Sequence, residues 1–331
     1  MNSADQGKQS YPNGEMPLSG LRRVPAVIKP PTSLLDRVSA PVEHRDPRPS
    51  APHIVEQPAQ TMVDLRLDDI QELAHVTADA AGRSGTPFGT YLFRPTDPGA
   101  DLARHVEGGV FDEVFGYSPH TTNAEYGPYE RSTVFVCVLD HRRSLPVGAI
   151  RLVLPGGPGF KSLDDTARSW GHHVDTTASG IDVASDPLWD IATLSVAPGY
   201  RTGLISSALY QSTCTLAQRC GVRWFVTVID VAVLRLLQRT LRRPFTPFPG
   251  FEPRDCVGSI SLPCFSDVPA WAARLAHHDP TLHETIFGGV GLESAVSHPD
   301  WHRATHLMTT MTTNLTLATQ PLPDRQLRPV A

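Results

Sequence analysis

The stretch WDIATLSVAPGYRTGLISSAL, residues 189–209, decides how the rest of the chain is read. Residues 189–196 have the apolar and β-branched content of a strand. Pro198-Gly199 turns the chain. Beyond it, Leu204, Ile205, Ala208, Leu209, Leu216 and Ala217 recur with a period near 3.6, which predicts an amphipathic helix. Gly221 stands where such a helix needs a left-handed residue to close it. The first amides of a helix lack acceptors, and together with the helix dipole they suit an anion such as a diphosphate. Arg201 would add a cation there, Thr202-Gly203 opens the helix, and Ser206 and Ser207 supply hydroxyls. Read alone, the same residues also describe an ordinary βα turn.

The pattern continues on both sides. Residues 223–229 predict another strand, and Asp230 caps a helix carrying Val231, Leu234, Leu237 and Leu241. Upstream, TVFVCVL (133–139) and residues 147–154 form two strands around the polar turn DHRRSLP, an antiparallel hairpin. A Gly/Pro loop (155–159) leads to a short helix over 162–170. Residues 104–115 read as helical, and 63–82 as a short strand (MVDLRL) followed by a helix. The order β-β-α-β-α-β-α predicts an α/β fold of the α+β type, a mixed sheet with helices packed on it.

Residues 196–209 resemble the cofactor-binding segment of GNAT-superfamily acyltransferases. In that family a strand ending V-x-P is followed by Y-R-x-x-G-x-G/A and a long helix. Val196, Pro198, Tyr200, Arg201, Ser207, Ala208 and Leu209 align with it without a gap. Leu204 and Ser206 replace the two glycines, and Leu237 stands where many members carry a general-acid tyrosine. The resemblance implies a mostly antiparallel sheet with helices on both faces. It also implies that the strand splays from its neighbour, so that backbone groups at Leu194, Ser195 and Val196 hold the pantetheine arm of an acyl thioester. Arg201, Thr202, Gly203, Ser206 and Ser207 would surround its phosphates.

A narrower resemblance covers about residues 100–265. Arg104 and Phe111, then VGAIRLVLP (147–155), then WDIATLSV (189–196), then LLQRTLRRPFTPFPG (236–250) follow the order seen in acyl-homoserine-lactone synthases and long-chain N-acyl amino acid synthases. Asp190 replaces that branch's glutamate and Thr193 its strand arginine, so lactone-synthase specificity is not implied. The resemblance implies N-acyl transfer from acyl-CoA, or from acyl carrier protein, to the amine of a small acceptor such as an amino acid. These donors act as co-substrates, and no tightly bound cofactor is expected.

Such a reaction needs a neutral amine, so a carboxylate near the thioester is useful. Asp190 is the candidate base, placed by two-residue alternation with Ala192, Leu194 and Val196. Its structural alternative is a cap or an ion pair with Arg151. Arg151 is an unusual charge in a core strand. It is read either as a clamp for a substrate carboxylate or as a partner of Asp190 or Glu130. Trp189 and Thr193 complete the candidate substrate-binding set. The rival reading is a GNAT-fold module without turnover that binds an acyl thioester, a carrier protein or another partner. The lost glycines and tyrosine motivate it.

Composition narrows the alternatives. The net charge is −5, with no Lys/Arg block, which argues against a nucleic-acid partner. No run of about 18 apolar residues is present, so no membrane span is expected. The first ten residues lack a secretory pattern, and the five cysteines show no CxxC spacing. Cys137 and Cys220 read as buried thiols, and the expected compartment is the cytoplasm. Ten prolines fall within residues 1–60, which are expected to form a disordered arm. Residues 61–298 are expected to form the acyltransferase domain and 299–331 a flexible tail.

Several motifs are set aside. PGGPGFKS (155–162) resembles a phosphate loop, but Phe160 interrupts it and Pro158 removes an amide. His172-His173 lacks the aspartate of an HHxxxD motif, since Thr177 stands there. His277-His278-Asp279 and His283-Glu284 read as solvated, and no metal is expected. Arg235, Arg239, Arg242 and Arg243 read as a solvated helix face or as a landing site for an acidic carrier protein.

Overall fold

The computed structural model describes residues 65–82 and 85–319. The chain begins with α1 (Leu67–Ala80), β1 (Phe88–Phe93), α2 (Ala100–Phe115) and α3 (Pro119–Tyr126). The central run is β2 (Thr133–Asp140), β3 (Leu145–Val153), α4 (Lys161–Trp170), β4 (Leu188–Val196), α5 (Leu204–Arg219), β5 (Trp224–Asp230) and α6 (Val231–Thr240). Then follow β6 (Thr246–Pro247), β7 (Arg254–Cys256), β8 (Ser259–Asp267), α7 (Val268–His278) and α8 (Pro280–Gly288). The last described elements are β9 (Val296–Ser297) and α9 (Trp301–Thr319). The expected disordered arm, residues 1–60, lies outside the described residues.

The strands form one mixed sheet in the order β6-β8-β5-β4-β3-β2-β1-β9, with β7 beside β8. Only the β4/β5 and β1/β9 pairs are parallel. The run TVFVCVL explains why the sheet is covered on both sides, for every residue of β2 is buried. Val134, Val136 and Val138 enter the core that includes α5 through α9, whereas Phe135, Cys137 and Leu139 pack with α1 and α2. The helices thus occupy both faces, as expected. Gly148 on β3 is a point of close approach: a Cβ there would lie 2.5 Å from Ile205 Cγ2. The missing side chain lets the first turn of α5 rest on the sheet and sets where that helix begins.

Three expectations are corrected. Residues 299–319 are not a tail from 301 onward: α9 is a nineteen-residue helix, and Ala304 and Met308 are buried in the main core. The Thr-rich sequence hid an apolar stripe at Trp301, Ala304, Leu307, Met308, Met311 and Leu315. Its threonines lose little by helix formation here, because the Thr305, Thr309, Thr313 and Thr316 hydroxyls donate to carbonyls four residues back. Met308→Ala therefore lowers stability by about 2–4 kcal/mol in urea unfolding; a mobile tail would give a change within about 0.5 kcal/mol. At the other end, Leu65 and Arg66 precede α1 as non-strand residues, and Leu67 already belongs to the helix, so the MVDLRL strand does not extend into the described residues. Cys137 is fully buried, but Cys220 is only partly so. Among the described residues, no helix is long and apolar enough to cross a membrane.

Candidate functional site

Strands β4 and β5 run parallel and pair only at Leu188–Trp224, Trp189–Phe225 and Asp190–Val226. Beyond those pairs β4 continues beside β3 to Val196, while β5 continues beside β8 to Asp230. The two strands therefore diverge into a cleft, each turning one row of backbone groups towards it. Thr227 closes the fork, its hydroxyl donating to the Ile191 carbonyl at 2.9 Å. This is the splay that the resemblance implied.

The mouth of the cleft is the start of α5. Gly199 (φ 84°) and Gly203 (φ 99°) adopt left-handed conformations that let the Pro-Gly turn lead into the helix. Tyr200 ties this turn to the β2–β3 hairpin by donating to Asp140 Oδ2 at 2.9 Å. No side chain caps α5, and its first ladder bond runs from Ser207 N to Gly203 O. The Leu204, Ile205 and Ser206 amides precede that bond and keep the anion-attracting end of the helix unsatisfied. Asp230, as expected, caps α6 on the opposite side of the fork, accepting from Ala232 N and Val233 N.

A β-bulge alters the expected arrangement of β4. Arg151 pairs with Thr193, but Leu152 pairs with Ile191, so Ala192 is the extra residue. The bulge reverses the alternation. Asp190 consequently shares a face with Arg151, Thr193 and Ser195, and not with Leu194 and Val196. Asp190 is 0% exposed. It accepts from the Ser162 amide at 2.8 Å and from the Ser162 hydroxyl at 2.6 Å, holding the first turn of α4 against β4. Burial pushes its carboxyl up to about 7 against these two hydrogen bonds and nearby Lys161. The base expected there is a closed-off helix anchor at the paired end of the strands, not a group in the cleft.

Arg151 is likewise committed. Its Nε and Nη2 donate to the two carboxylate oxygens of Glu107 at 2.9 and 2.6 Å, and its Nη1 to Glu130 Oε2 at 2.6 Å. The guanidinium also lies over the Phe135 ring, 4.6 Å from its centroid. Thr193 donates to Glu107 at 2.6 Å, and Arg104 joins Glu130 to Asp101. Burial alone would raise the Glu130 carboxyl, but Arg151 and Arg104 hold it below the usual range. A substrate carboxylate therefore meets no free fork on Arg151, and Thr193 belongs to the same buried network. Trp189 is core, stacked on Phe225 with centroids 6.4 Å apart.

The remaining expected residues lie on the diverging part of β4 and at the start of α5. Leu194 is 36% exposed, an apolar side chain on the diverging part of β4. Ser195 is buried, and its hydroxyl has no hydrogen-bond partner. Thr202 is exposed, and Ser206 and Ser207 are partly exposed on the first turn of α5. Arg201 is folded back: Nε donates to the Val196 carbonyl at 3.0 Å, and Nη2 reaches Glu113 Oε2 at 2.5 Å. Glu107, Glu113, Ser162 and Thr227 are the residues that sequence reasoning missed. Glu107 was detectable, since it lies on the same helical face as Arg104 and Phe111 by i, i+3, i+7 spacing. The others have no local signal.

The mixed, mostly antiparallel sheet with helices on both faces, and the divergence of β4 from β5 before the start of α5, are consistent with a GNAT-like fold. Among solved structures, the chain is similar to the CoA-dependent acyl-homoserine lactone synthase BjaI determined with SAM and isopentyl-CoA. Identity is 16%, covering 68% of this chain and 100% of that one, with a TM-score of 0.46. It is also similar to FeeM, an N-acyl amino acid synthase from uncultured soil microbes (14% identity, 57% and 94% coverage, TM-score 0.42). A third similar structure is a putative N-acetyltransferase from Lactobacillus plantarum (12% identity, 54% and 99% coverage, TM-score 0.37). No protein-family model and no curated protein matches the chain.

Proposed function

We propose that this protein is an N-acyltransferase that moves an acyl group from an acyl-CoA or acyl-carrier-protein thioester to the amine of a small acceptor such as an amino acid. The observation that carries the reading is the divergence of β4 and β5 beyond Asp190 and Val226, beside an uncapped helix start. The backbone of Leu194, Ser195 and Val196 would pair with the amide groups of a pantetheine arm. The first amides of α5, with Thr202, Gly203, Ser206 and Ser207, would receive its phosphates. The exposed Leu194 side chain offers an apolar contact for the acyl chain. The neutral amine attacks the thioester carbonyl and forms the C–N bond, the C–S bond breaks, and the proton lost by the nitrogen passes to the departing thiolate, which leaves as the thiol. A backbone donor at the fork would stabilise the oxyanion.

Release of free thiol from a panel of acyl-CoA and acyl-carrier donors, each with a set of amines, tests this reading. Consumption of a donor is expected only when an amine is present. If no donor is consumed with any amine, the proposal fails.

The Arg201–Glu113 pair favours a second reading, a module that binds the thioester or another partner without turnover, because it withholds the Arg201 cation from the helix start. Donor binding in calorimetry with no thiol release would establish that alternative. In either reading Glu113→Gln frees Arg201, and donor affinity rises roughly threefold to tenfold by the same titration. An unchanged affinity would mean that Arg201 does not meet the donor.

A further inference from the structure

Away from the cleft, the end of α6 and the last turns of α7 flank an open depression of about 490 Å³ lined by Gln238, Arg239, Arg242, Arg243, Arg274 and His278. Four exposed arginines line this one depression in a chain of net charge −5. Of the four, only Arg242 has a carboxylate partner among the described residues: its Nε lies 3.1 Å from Asp279 Oδ2. Arg274 is oriented by donating to the Arg243 carbonyl at 2.9 Å, and Arg239 and Arg243 are exposed.

The backbone supplies an independent observation. Arg242 (φ 56°) and Arg243 (φ 59°) both adopt the left-handed conformation, which L-residues with side chains rarely take. A helix end of this kind ordinarily uses glycine. Here two consecutive arginines occupy it, with Arg243 N bonded back to Gln238 O at 3.1 Å. Strain tolerated at residues that line a depression is a sign that their side chains are needed in that place.

We infer that this depression is a binding site for a polyphosphate group, separate from the thioester cleft. Planar guanidinium forks match phosphate oxygens in pairs, and the charge excess suits a di- or triphosphate better than a single oxyanion. The ligand that fits is a free nucleoside polyphosphate, because the phosphates of a CoA donor belong at the start of α5.

Calorimetric titration of the full chain with inorganic tripolyphosphate tests the site, with sulfate as the comparison anion. One equivalent of tripolyphosphate is expected to bind, at least about tenfold more tightly than sulfate. The charge reversals Arg239→Glu and Arg243→Glu together lower that affinity by about a hundredfold or more, while thermal unfolding shows the variant folded. Arg243→Gly raises the melting temperature by relieving the left-handed conformation and still weakens binding. Displacement of tripolyphosphate by ATP, with CoA much weaker, assigns the site to a free nucleotide; equal displacement by CoA, lost in the double variant, would place the donor here and overturn the inference. The inference is overturned if tripolyphosphate does not bind, if sulfate binds equally well, or if the folded double variant binds undiminished. Capture of an acidic carrier protein without any tripolyphosphate affinity would overturn it as well.

Discussion

Replacing Arg151 by methionine lowers the unfolding free energy by about 3–5 kcal/mol, and the melting temperature by about 10 °C. The cause is the partner left behind. Glu107 is 1% exposed and would be left in the core with only the Thr193 hydroxyl to meet it. Neither water nor salt reaches it, so the loss persists at high ionic strength, unlike that of a surface pair. Removing both charges, as in Arg151→Met with Glu107→Leu, recovers part of the loss. Recovery is incomplete because Thr193 Oγ1 loses its acceptor, while Arg104 continues to hold Glu130. Urea unfolding of the two single variants and the double variant measures the coupling. Additive losses would show that the network is not a unit.

The second large effect concerns Asp190 and is seen as a pH dependence. Its folded value of about 7 lies above the usual 3.8, so between these values the native chain holds a proton that the unfolded chain has released. Stability from this site is complete below about pH 4 and is lost as pH rises through about 7. The gap corresponds to roughly 4 kcal/mol. Asp190→Asn cannot ionise, and its amide satisfies Ser162 through a carbonyl acceptor and an N–H donor. The variant is expected to match the parent at about pH 4, and to exceed it by roughly 1–2 kcal/mol near pH 5 and by up to roughly 4 kcal/mol above pH 8. Denaturant midpoints at these pH values decide it. An equal loss at all of them would show that the carboxylate is ionised and needed as such. A catalytic base would instead reveal itself by a fall in thiol release with stability unchanged.

Much of the frame was legible because it depends on local periodicity. The alternation of VFVCVL, the helical spacing from Leu204 to Ala217 and the caps at Gly221 and Asp230 act over a few residues, and the strands, helices and their order followed from them. The elements that were missed have weak local patterns. In α9 the threonines masked the apolar stripe, and β1 (FGTYLF) needed its neighbour β2 to be recognised as sheet.

The site divides along the same line. The strand, Pro-Gly turn and helix start over residues 189–209 are short-range features, and the sequence alone placed Leu194, Val196, Arg201 and Ser206 at one junction. Three things were decided only by the tertiary structure. The bulge at Ala192 exists because β4 must keep register with β3 at both of its ends, and it moves Asp190 to the opposite face. Glu107, 44 residues from Arg151 in the chain, takes up its fork, and Glu113, 88 residues from Arg201, takes up the cation at the helix start. A charged side chain carries no record of its partner in the residues around it. Which charges are left for a ligand is settled by long-range pairing, once folding has brought the carboxylates into reach.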